Sequence, residues 1–276
     1  MSNSNTLLQN VSRGIQQNLK KYLHNKYSEV NINWFYLKYL KHIPPGKIYS
    51  HNLFNNKTQF NNPQEYLHGI TEVFIEKVYK QYLPANALIL DCGAHIGLSV
   101  IYLKRLCPTA RIIAFEPDER NFSLLEYNIR SHNFINVTLV NKAVWTDNTF
   151  INFKSEGSMS SKIDLNSNDT NQIETARLKD YLNEKVDFLK LDIEGAEYGV
   201  LKDIEDKLFK VNNLFLEYHG TFKQNNELCE LLNIVERQGF KFYIKEADTL
   251  YQHPFDHSKK SLGSYDVQLN IFCFRQ

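Results

Sequence analysis

Short apolar runs alternate with amphipathic segments from residue 87 to the end of the chain. Such runs are typical of strands buried in a parallel sheet, and the apolar spacing of the segments between them is that of helices. We predict strands at residues 87–91, 111–115, 136–140, 186–191, 212–217, 240–245 and 267–274. We predict helices near residues 97–106, 119–132, 198–209 and 224–238.

The order of these elements predicts how the sheet is connected. Strands that alternate with helices form parallel sheets with right-handed crossovers. Only a polar loop, residues 247–265, separates the last two strands, so residues 267–274 should run antiparallel to their neighbour. The predicted fold class is α/β, with a seven-stranded, mostly parallel sheet and an antiparallel last strand.

The first 82 residues lack this alternation and are predicted to form a mainly helical extension. An aromatic-rich helix around residues 34–39 should end before Pro44-Pro45-Gly46, and a second helix should cover residues 63–82. The predicted domains are therefore residues 1–82 and residues 83–276. Residues 1–82 carry ten Lys and Arg against four Asp and Glu.

A long insertion separates the third and fourth predicted strands. It begins with a predicted hairpin around residues 143–154 and continues through two polar stretches, residues 155–162 and 166–172. Loops of this length serve as lids, as binding loops or as disordered spacers, and the sequence favours neither a lid nor a spacer.

Composition narrows the class of protein. With 276 residues, 42% of them hydrophobic, and a net charge of +1, the chain can fill a core and lacks the basic excess of a nucleic-acid binder. Its four cysteines have neither disulfide nor zinc spacing and are predicted to be buried thiols. Residues 1–14 are polar, and no run approaches the ~20 apolar residues of a membrane span. We therefore expect a cytoplasmic protein without a transmembrane segment.

The first candidate site follows the first predicted strand. That strand ends at Asp91 and leads through Gly93 and Gly97 into a helix, and glycines allow a ligand to approach the backbone. The second strand ends at Glu116, about 20 positions later, where a carboxylate can accept hydrogen bonds from ribose hydroxyls. Together these features predict an adenosine-containing ligand.

Two more strands end in ionisable residues. Asp192 and Glu194 follow one strand, and Glu217 and His219 end the next, at the edge where open α/β sheets bind ligands. Glu217 is the preferred candidate for the proton acceptor, although a carboxylate there could also orient the histidine or bind a metal. His219 is either a proton acceptor or a hydrogen-bonded structural histidine. Glu197 is interpreted as a structural acid in the first turn of a helix.

These segments resemble the FkbM-type family of S-adenosylmethionine-dependent methyltransferases. The resemblance spans about residues 65–245, and its most specific part is residues 190–197, Lys-Leu-Asp-Ile-Glu-Gly-Ala-Glu. Residues 115–117, Phe-Glu-Pro, and 141–143, Asn-Lys-Ala, match further family segments. Two positions depart from the family pattern: His95 stands where Asn is common, and Cys92 replaces a usual valine.

The resemblance implies a Rossmann-like class I fold, S-adenosylmethionine as cofactor, and methyl transfer to a hydroxyl of a sugar, a glycan or a small natural product. The acidic crevice suits a cationic sulfonium better than the anionic pyrophosphate of NAD. The implied site residues fall into a cofactor group and an acceptor group. The cofactor group comprises Asp91, Gly93, Ala94 and Gly97 at the methionine end, Glu116 at the ribose and Ala143 at the adenine. The acceptor group comprises Asp192, Glu194, Glu217 and His219.

Other interpretations remain open at this point. Asp192, Glu194 and Glu217 could ligate Mg²⁺ or Ca²⁺, although a site without a metal is favoured. A nicotinamide-dependent oxidoreductase is disfavoured because the turn lacks the full three-glycine motif. A non-catalytic adenosine-binding module conflicts with the carboxylates at the strand ends. An RNA or protein methyltransferase is disfavoured because no basic, aromatic groove is evident.

Overall fold

A computed structural model of the chain describes residues 26–154, 162–163, 172–247, 249–255 and 265–275. The chain divides into two compact units, Met1–Val78 and Tyr79–Gln276. Three predictions concern residues outside the described ranges. They concern the polar N-terminus, the polar stretches interpreted as a lid or a spacer (155–161 and 164–171), and most of the second half of the loop predicted at 247–265.

The first unit combines short helices with a β-hairpin. Its elements are α1 (Trp34–His42), β1 (Tyr49–Leu53), β2 (Asn56–Phe60) and α2 (Pro63–Ile70), followed by a π-helical turn (Thr71–Ile75). The side chains of Asn33 and Asn62 accept backbone hydrogen bonds at the starts of α1 and α2.

The β1–β2 hairpin was not predicted from the sequence. Its two-residue turn is Phe54-Asn55, and both residues have positive φ, 51° and 67°. Turns of this shape usually carry Asn-Gly or Asp-Gly, so Phe-Asn gives no turn signal. The helix predicted over residues 63–82 is also shorter, because the chain leaves the helical conformation at Lys77, which has a φ of 57°.

The second unit contains the predicted seven-stranded sheet. Its strands, in spatial order, are β12 (Lys241–Glu246), β13 (Val267–Phe274), β11 (Val211–Gly220), β10 (Val186–Leu191), β3 (Leu88–Cys92), β4 (Arg111–Phe115) and β5 (Val137–Val140). Strand β13 runs antiparallel to both of its neighbours, and the pairs from β11 to β5 are parallel. The predicted α/β fold class and the antiparallel last strand are confirmed.

Helices flank this sheet close to the predicted positions. They are α3 (Leu98–Leu106), α4 (Glu119–Ser131), α5 (Glu197–Asp203) and α6 (Asn225–Arg237). The helix predicted over 198–209 continues after α5 only as a 3₁₀ turn, Glu205–Lys210. Strands β3 and β10 lie mid-sheet and are largely buried, with Leu90, Leu189 and Leu191 fully enclosed in the core. The sheet therefore holds the ends of β3 and β10 rigidly side by side.

The hairpin predicted over residues 143–154 is wrong. Strands β6 (Ala143–Trp145) and β7 (Phe150–Lys154) belong to a small sheet of order β6-β9-β7-β8, in which β9 (Gln172–Arg177) separates them. The Thr175 hydroxyl of β9 donates to the carbonyl of Asp147 and accepts from the amide of Thr149. The turn between β6 and β7 is therefore wrapped around a threonine that is distant in sequence. The fourth strand, β8, is Lys162–Ile163.

Two predictions from composition have different outcomes. All four cysteines are free thiols, but Cys229 is exposed, so the prediction that all four are buried is wrong for this residue. Among the described residues, no helix combines the length and apolar character needed to cross a membrane.

Candidate active site

The glycine turn after β3 is held by close backbone approach. Gly93 has a φ of +88°, and a Cβ atom there would lie 1.8 Å from the carbonyl oxygen of Asp192. Gly97 has a φ of +90°, and a Cβ there would lie 2.7 Å from Cδ1 of Leu125. The amides of Gly93 and Ala94 both donate to the carbonyl of Phe115 at the end of β4. The turn is thus fitted between the ends of β4 and β10, where only glycine is tolerated at position 93.

Asp91 lies near the end of β3, two residues before Gly93. Its carboxylate is fully buried, and Oδ2 accepts a hydrogen bond from the Ser99 hydroxyl at 2.5 Å. Its second oxygen lies 3.5 Å from Nζ of Lys190. Asp91 therefore links the end of β3 both to the first turn of α3 and to the neighbouring strand β10.

Lys190 is a site residue to which the sequence analysis assigned no role. Its side chain is 3% exposed, and Nζ donates to the carbonyl of Gly93 at 2.7 Å and to Oδ2 of Asp192 at 2.9 Å. Burial acts to lower the pKa of Lys190, but Asp192 and Asp91 outweigh burial and raise it above its ordinary value. The available signal was a lysine between two leucines at the end of a buried strand, because a buried ammonium requires acidic partners.

Glu116 lies buried at the end of β4. Its Oε2 accepts from the amide of His95 at 2.8 Å, and its Oε1 accepts from the amide of Asp118 at 3.0 Å. Burial raises the pKa of Glu116 to about 7. His95 has a φ of 49°, a left-handed conformation that both His and Asn adopt readily, so the departure from the family pattern preserves this backbone contact.

Residues 141–143, which resemble the family segment that borders the adenine, are hydrogen-bonded to the end of β4. The side-chain amide of Asn141 donates to the carbonyl of Glu116 at 2.8 Å and to that of Pro117 at 3.3 Å. Ala143 begins β6 two residues later and is buried. Asn141 thus ties the start of β6 to the end of β4.

The loop after β10 is organised by Glu197. The loop turns through two left-handed residues, Glu194 with a φ of 57° and Gly195 with a φ of 101°. The Glu197 carboxylate is almost wholly buried and accepts from the amides of Ile193 and Gly195. The Tyr265 hydroxyl donates to the Glu194 carbonyl at 2.8 Å. Glu197 lies in the first turn of α5, but its carboxylate makes these inward contacts and is not exposed at the helix terminus.

His219 lies at the centre of the acceptor group. It sits within β11, opposite Gln268 of β13, because β11 extends beyond its predicted end at residue 217. Its Nδ1 lies 3.3 Å from Oε1 of Glu197, and its Nε2 lies 3.5 Å from Oε1 of Glu217 and 3.8 Å from Oε2 of Glu194. Burial acts to lower the pKa of His219, but hydrogen bonds with Glu197 and Glu217 raise it well above its usual value. Burial raises the pKa of Glu194 to about 8 and also raises that of Glu217.

The structure brings together all four residues predicted for the acceptor group. Among the described residues, the ligand atoms of Asp192, Glu194 and His219 all lie within 4.8 Å of one another. This set differs from the possible metal set predicted from the sequence, because His219 takes the place of Glu217. The carboxylates already have cationic partners in Lys190, which contacts Asp192, and in His219.

The charge of the crevice fits S-adenosylmethionine. Within the part of the chain that the structure describes, six carboxyl groups lie at these strand ends and adjoining turns, beside the cationic side chains of Lys190 and His219. These carboxylates are those of Asp91, Glu116, Asp192, Glu194, Glu197 and Glu217. The raised pKa values of Glu116, Glu194 and Glu217 mean that part of this set is protonated near neutral pH, and the remaining carboxylates balance Lys190 and His219, so no excess of positive charge is left to attract a pyrophosphate. A glycine turn with close backbone packing and a buried carboxyl group at the next strand end are features found in adenosine-binding sites, and this chain has both.

Known proteins resemble this chain in sequence and in fold. Methyltransferase 1 of Beauveria bassiana is 26% identical over 213 residues, which cover 67% of this chain and 84% of that protein. Methyltransferase sdnD of Sordaria araneosa is 25% identical, covering 61% of this chain and 80% of that protein. The crystal structure of methyltransferase FkbM from Methylobacillus flagellatus KT has a TM-score of 0.50 at 17% identity and covers 74% of this chain. This chain spans 47% of that protein's length, and the likeness shows a shared fold.

The family is established by the sequence of the second unit. Residues 91–242, more than half of the chain, match the family model described as the methyltransferase FkbM domain. The match includes the glycine turn, Glu116 and the acceptor group. The predicted S-adenosylmethionine cofactor is thereby confirmed, and the oxidoreductase alternative has no support. The chain belongs to the FkbM family of methyltransferases.

Proposed function

We propose that this methyltransferase transfers the methyl group of S-adenosylmethionine to a hydroxyl of a sugar, a glycan or a small natural product. One observation carries the proposal: Glu217, Glu194 and His219 converge at the end of β11, beside Asp192. Lys190 connects Asp192 directly to the glycine turn after β3. Groups able to take a proton therefore stand next to the turn assigned to the cofactor.

The proposed reaction needs a positioned hydroxyl and a proton acceptor. Bound S-adenosylmethionine supplies the methyl group as a sulfonium, and the transfer leaves S-adenosylhomocysteine, the methyl ether and one proton. Glu217 receives that proton from the attacking hydroxyl, and His219 stabilises the carboxylate through Nε2. A positioned base contributes ~10²- to 10⁴-fold in rate, and correct orientation of the reactants supplies up to ~7–11 kcal/mol.

The cofactor end is assigned to residues around the glycine turn. Asp91, Gly93, Ala94 and Gly97 shape the pocket for the methionine portion, and Lys190 holds this turn through the Gly93 carbonyl. Glu116 would hold the ribose, and Ala143 would border the adenine. Support for this assignment comes from the close packing of the turn and from the burial of Glu116.

The carboxyl groups at the strand ends also bear on the acceptor. Carboxylates accept hydrogen bonds from neutral hydroxyls and repel phosphates, which supports a sugar or a natural product over a nucleic acid. Lys190 and His219 already balance part of the charge, which supports a reaction without a metal ion. We also propose a cytoplasmic location, which the four free thiols support because reducing compartments keep thiols unpaired.

Replacing Glu217 tests this assignment. Glu217→Gln keeps the shape of the side chain but removes the proton acceptor, so turnover should fall by at least ~10²-fold while S-adenosylmethionine affinity stays nearly unchanged. Turnover is measured as S-adenosylhomocysteine release with a panel of methyl glycosides and hydroxylated aromatics, and mass spectrometry locates the added methyl group.

Glu236→Gln is the matched control, because Glu236 is exposed on α6. Loss of cofactor affinity in Glu217→Gln would place Glu217 on the cofactor side. Methylation of a nitrogen or carbon atom instead of an oxygen would contradict the proposed acceptor class. Cofactor binding without transfer to any acceptor would favour the non-catalytic module.

A further inference from the structure

Glu197 makes contacts that a helix-capping acid does not require. The corresponding acid in the first turn of α4 is Glu119, which is exposed. Glu197 has 1% exposure and combines two backbone amide partners with the imidazole of His219. Its carboxylate therefore joins the loop after β10 to a side chain on β11.

The partners of Glu197 determine which nitrogen of His219 carries a proton. Oε1 accepts from the amides of Ile193 and Gly195, both at 3.1 Å, and Oε2 accepts from the amide of Gly195 at 3.0 Å. Backbone amides only donate, so they hold the carboxylate as an acceptor. The third partner of Oε1, Nδ1 of His219 at 3.3 Å, must then be a donor as well.

We propose that Glu197 is a positioning residue that keeps a proton on Nδ1 of His219, so that proton exchange is confined to Nε2. This inference rests on the proposed function of the acceptor group. Nε2 is the nitrogen directed at Glu217 and Glu194, at 3.5 and 3.8 Å. Glu197 thus acts on the reaction through His219 and does not itself touch the acceptor.

Among the described residues around His219, Glu197 is the group placed to keep the proton on Nδ1. The other acids near the ring, Glu194 and Glu217, both face Nε2. The Tyr265 ring lies 5.0 Å from the imidazole at a tilt of 49°, and its hydroxyl is bonded to the Glu194 carbonyl. Of the acids in the described ranges, Glu197 is therefore the one that engages the opposite nitrogen, an arrangement in which an orienting carboxylate increases the catalytic value of a histidine.

Nuclear magnetic resonance of the histidine rings tests the proposal directly. Long-range ¹H–¹⁵N spectra of the full-length protein distinguish a protonated from an unprotonated ring nitrogen, and His219→Asn identifies the His219 signals. In the wild type, Nδ1 of His219 should remain protonated across the accessible pH range. In Glu197→Gln, Nδ1 should lose its proton in a measurable fraction of molecules, leaving the form protonated on Nε2 alone, and turnover should fall by about 10²-fold or more.

Two further variants separate positioning from support of the loop. Glu197→Asp retains a carboxylate and should recover the Nδ1–H signal and part of the turnover, while Glu119→Gln should leave both unchanged. Cofactor affinity should be the same in all folded variants. If Glu197→Gln retains the Nδ1–H signal and full turnover, the proposal is overturned.

The wild-type spectrum keeps the proposal testable even if Glu197→Gln fails to fold. A wild-type His219 protonated on Nε2 and not on Nδ1 overturns the positioning role whatever the enzyme methylates. Conversely, a retained Nδ1–H signal with no methyl transfer to hydroxyls contradicts the proposed function alone.

Discussion

At the scale of single residues, the site depends on a few close contacts that do not tolerate a larger side chain. Gly93 is the clearest case, because its backbone conformation is left-handed and its α-carbon faces the Asp192 carbonyl. Asp192 comes directly after β10, the strand that carries Lys190. The Lys190 ammonium in turn donates a hydrogen bond to the Gly93 carbonyl. The glycine turn after β3 and the acceptor group therefore share one set of contacts.

Gly93→Ala should prevent this close approach. Overpacking costs ~1–3 kcal/mol, and a left-handed non-glycine residue adds ~1–3 kcal/mol, so the free energy of unfolding should fall by about 2–6 kcal/mol. Cofactor affinity should be lost in any folded fraction. Denaturant unfolding and calorimetry measure the two effects.

Gly199→Ala is the matched control for this change. Gly199 lies in α5, has ordinary backbone angles, and a Cβ there would meet its nearest neighbour at 4.0 Å. Alanine is the better helix former, so this variant should be as stable as the wild type or up to ~1 kcal/mol more stable. Equal stability of the two variants would show that the approach at position 93 is not restrictive.

Glu116 should make folding stability depend on pH. Its pKa is raised from 4.5 to about 7 in the folded state, so between these values only the folded state retains the proton. The free energy of unfolding should therefore fall as pH rises through this window, by about 3 kcal/mol in total. Glu116→Gln resembles the protonated form and should lack this decrease. A constant difference between wild type and variant from about pH 4 to pH 8 would contradict the assigned cause.

Residues at the strand ends could be predicted from the sequence because their positions follow from topology. Asp91, Glu116 and Asp192 each stand at or next to the end of an apolar strand, and Glu217 stands at the predicted end of another, three residues before its actual end; parallel strands bring such ends to one edge. The inward contacts of Glu197 could not be predicted, because they depend on the left-handed turn at residues 194–195. That turn is specified by tertiary contacts, including the Tyr265 hydroxyl.

At the scale of elements, the sequence predicted strands better than turns. Strand spans in the large sheet agree with prediction to within one residue except for β11, which continues to Gly220 through its pairing with β13. The β1–β2 hairpin was missed and the β6–β7 hairpin was wrong. In both cases the turn depends on contacts or backbone angles that local composition does not encode.

The insertion of β13 between β11 and β12 is secured by Arg275. Its guanidinium donates to the carbonyls of Leu208, Val211 and Gln238 at 2.6–2.9 Å and stacks on Phe240. Charge-assisted hydrogen bonds contribute ~1.5–3 kcal/mol each. In Arg275→Met, water can bond to some of the carbonyls that lose their partner, so the free energy of unfolding should fall by about 2–4 kcal/mol, as measured by denaturant unfolding.

Arg120→Met serves as the control for this prediction, since Arg120 is exposed on α4 and its removal should change stability by less than ~0.5 kcal/mol. If the two variants unfold at the same denaturant concentration, the end of β13 is not held by Arg275.

At the scale of the whole molecule, the chain places a FkbM methyltransferase domain after a smaller N-terminal unit. The domain boundary predicted after residue 82 stays a prediction, as do the roles of the site residues. The arrangement of strand ends explains why cofactor and acceptor groups meet on one edge of the sheet. The acceptor itself is not encoded in that arrangement, because the same edge serves many chemistries in α/β proteins.

Calorimetric titration with S-adenosylmethionine tests the central claim most directly. The wild type should bind S-adenosylmethionine and S-adenosylhomocysteine in preference to NAD. Glu116→Ala should weaken both by at least ~10-fold because a buried acceptor for the ribose hydroxyls is lost, whereas Glu217→Gln should bind like the wild type. Preference for NAD, or unchanged affinity in Glu116→Ala, would contradict the assignment of this crevice as the cofactor site.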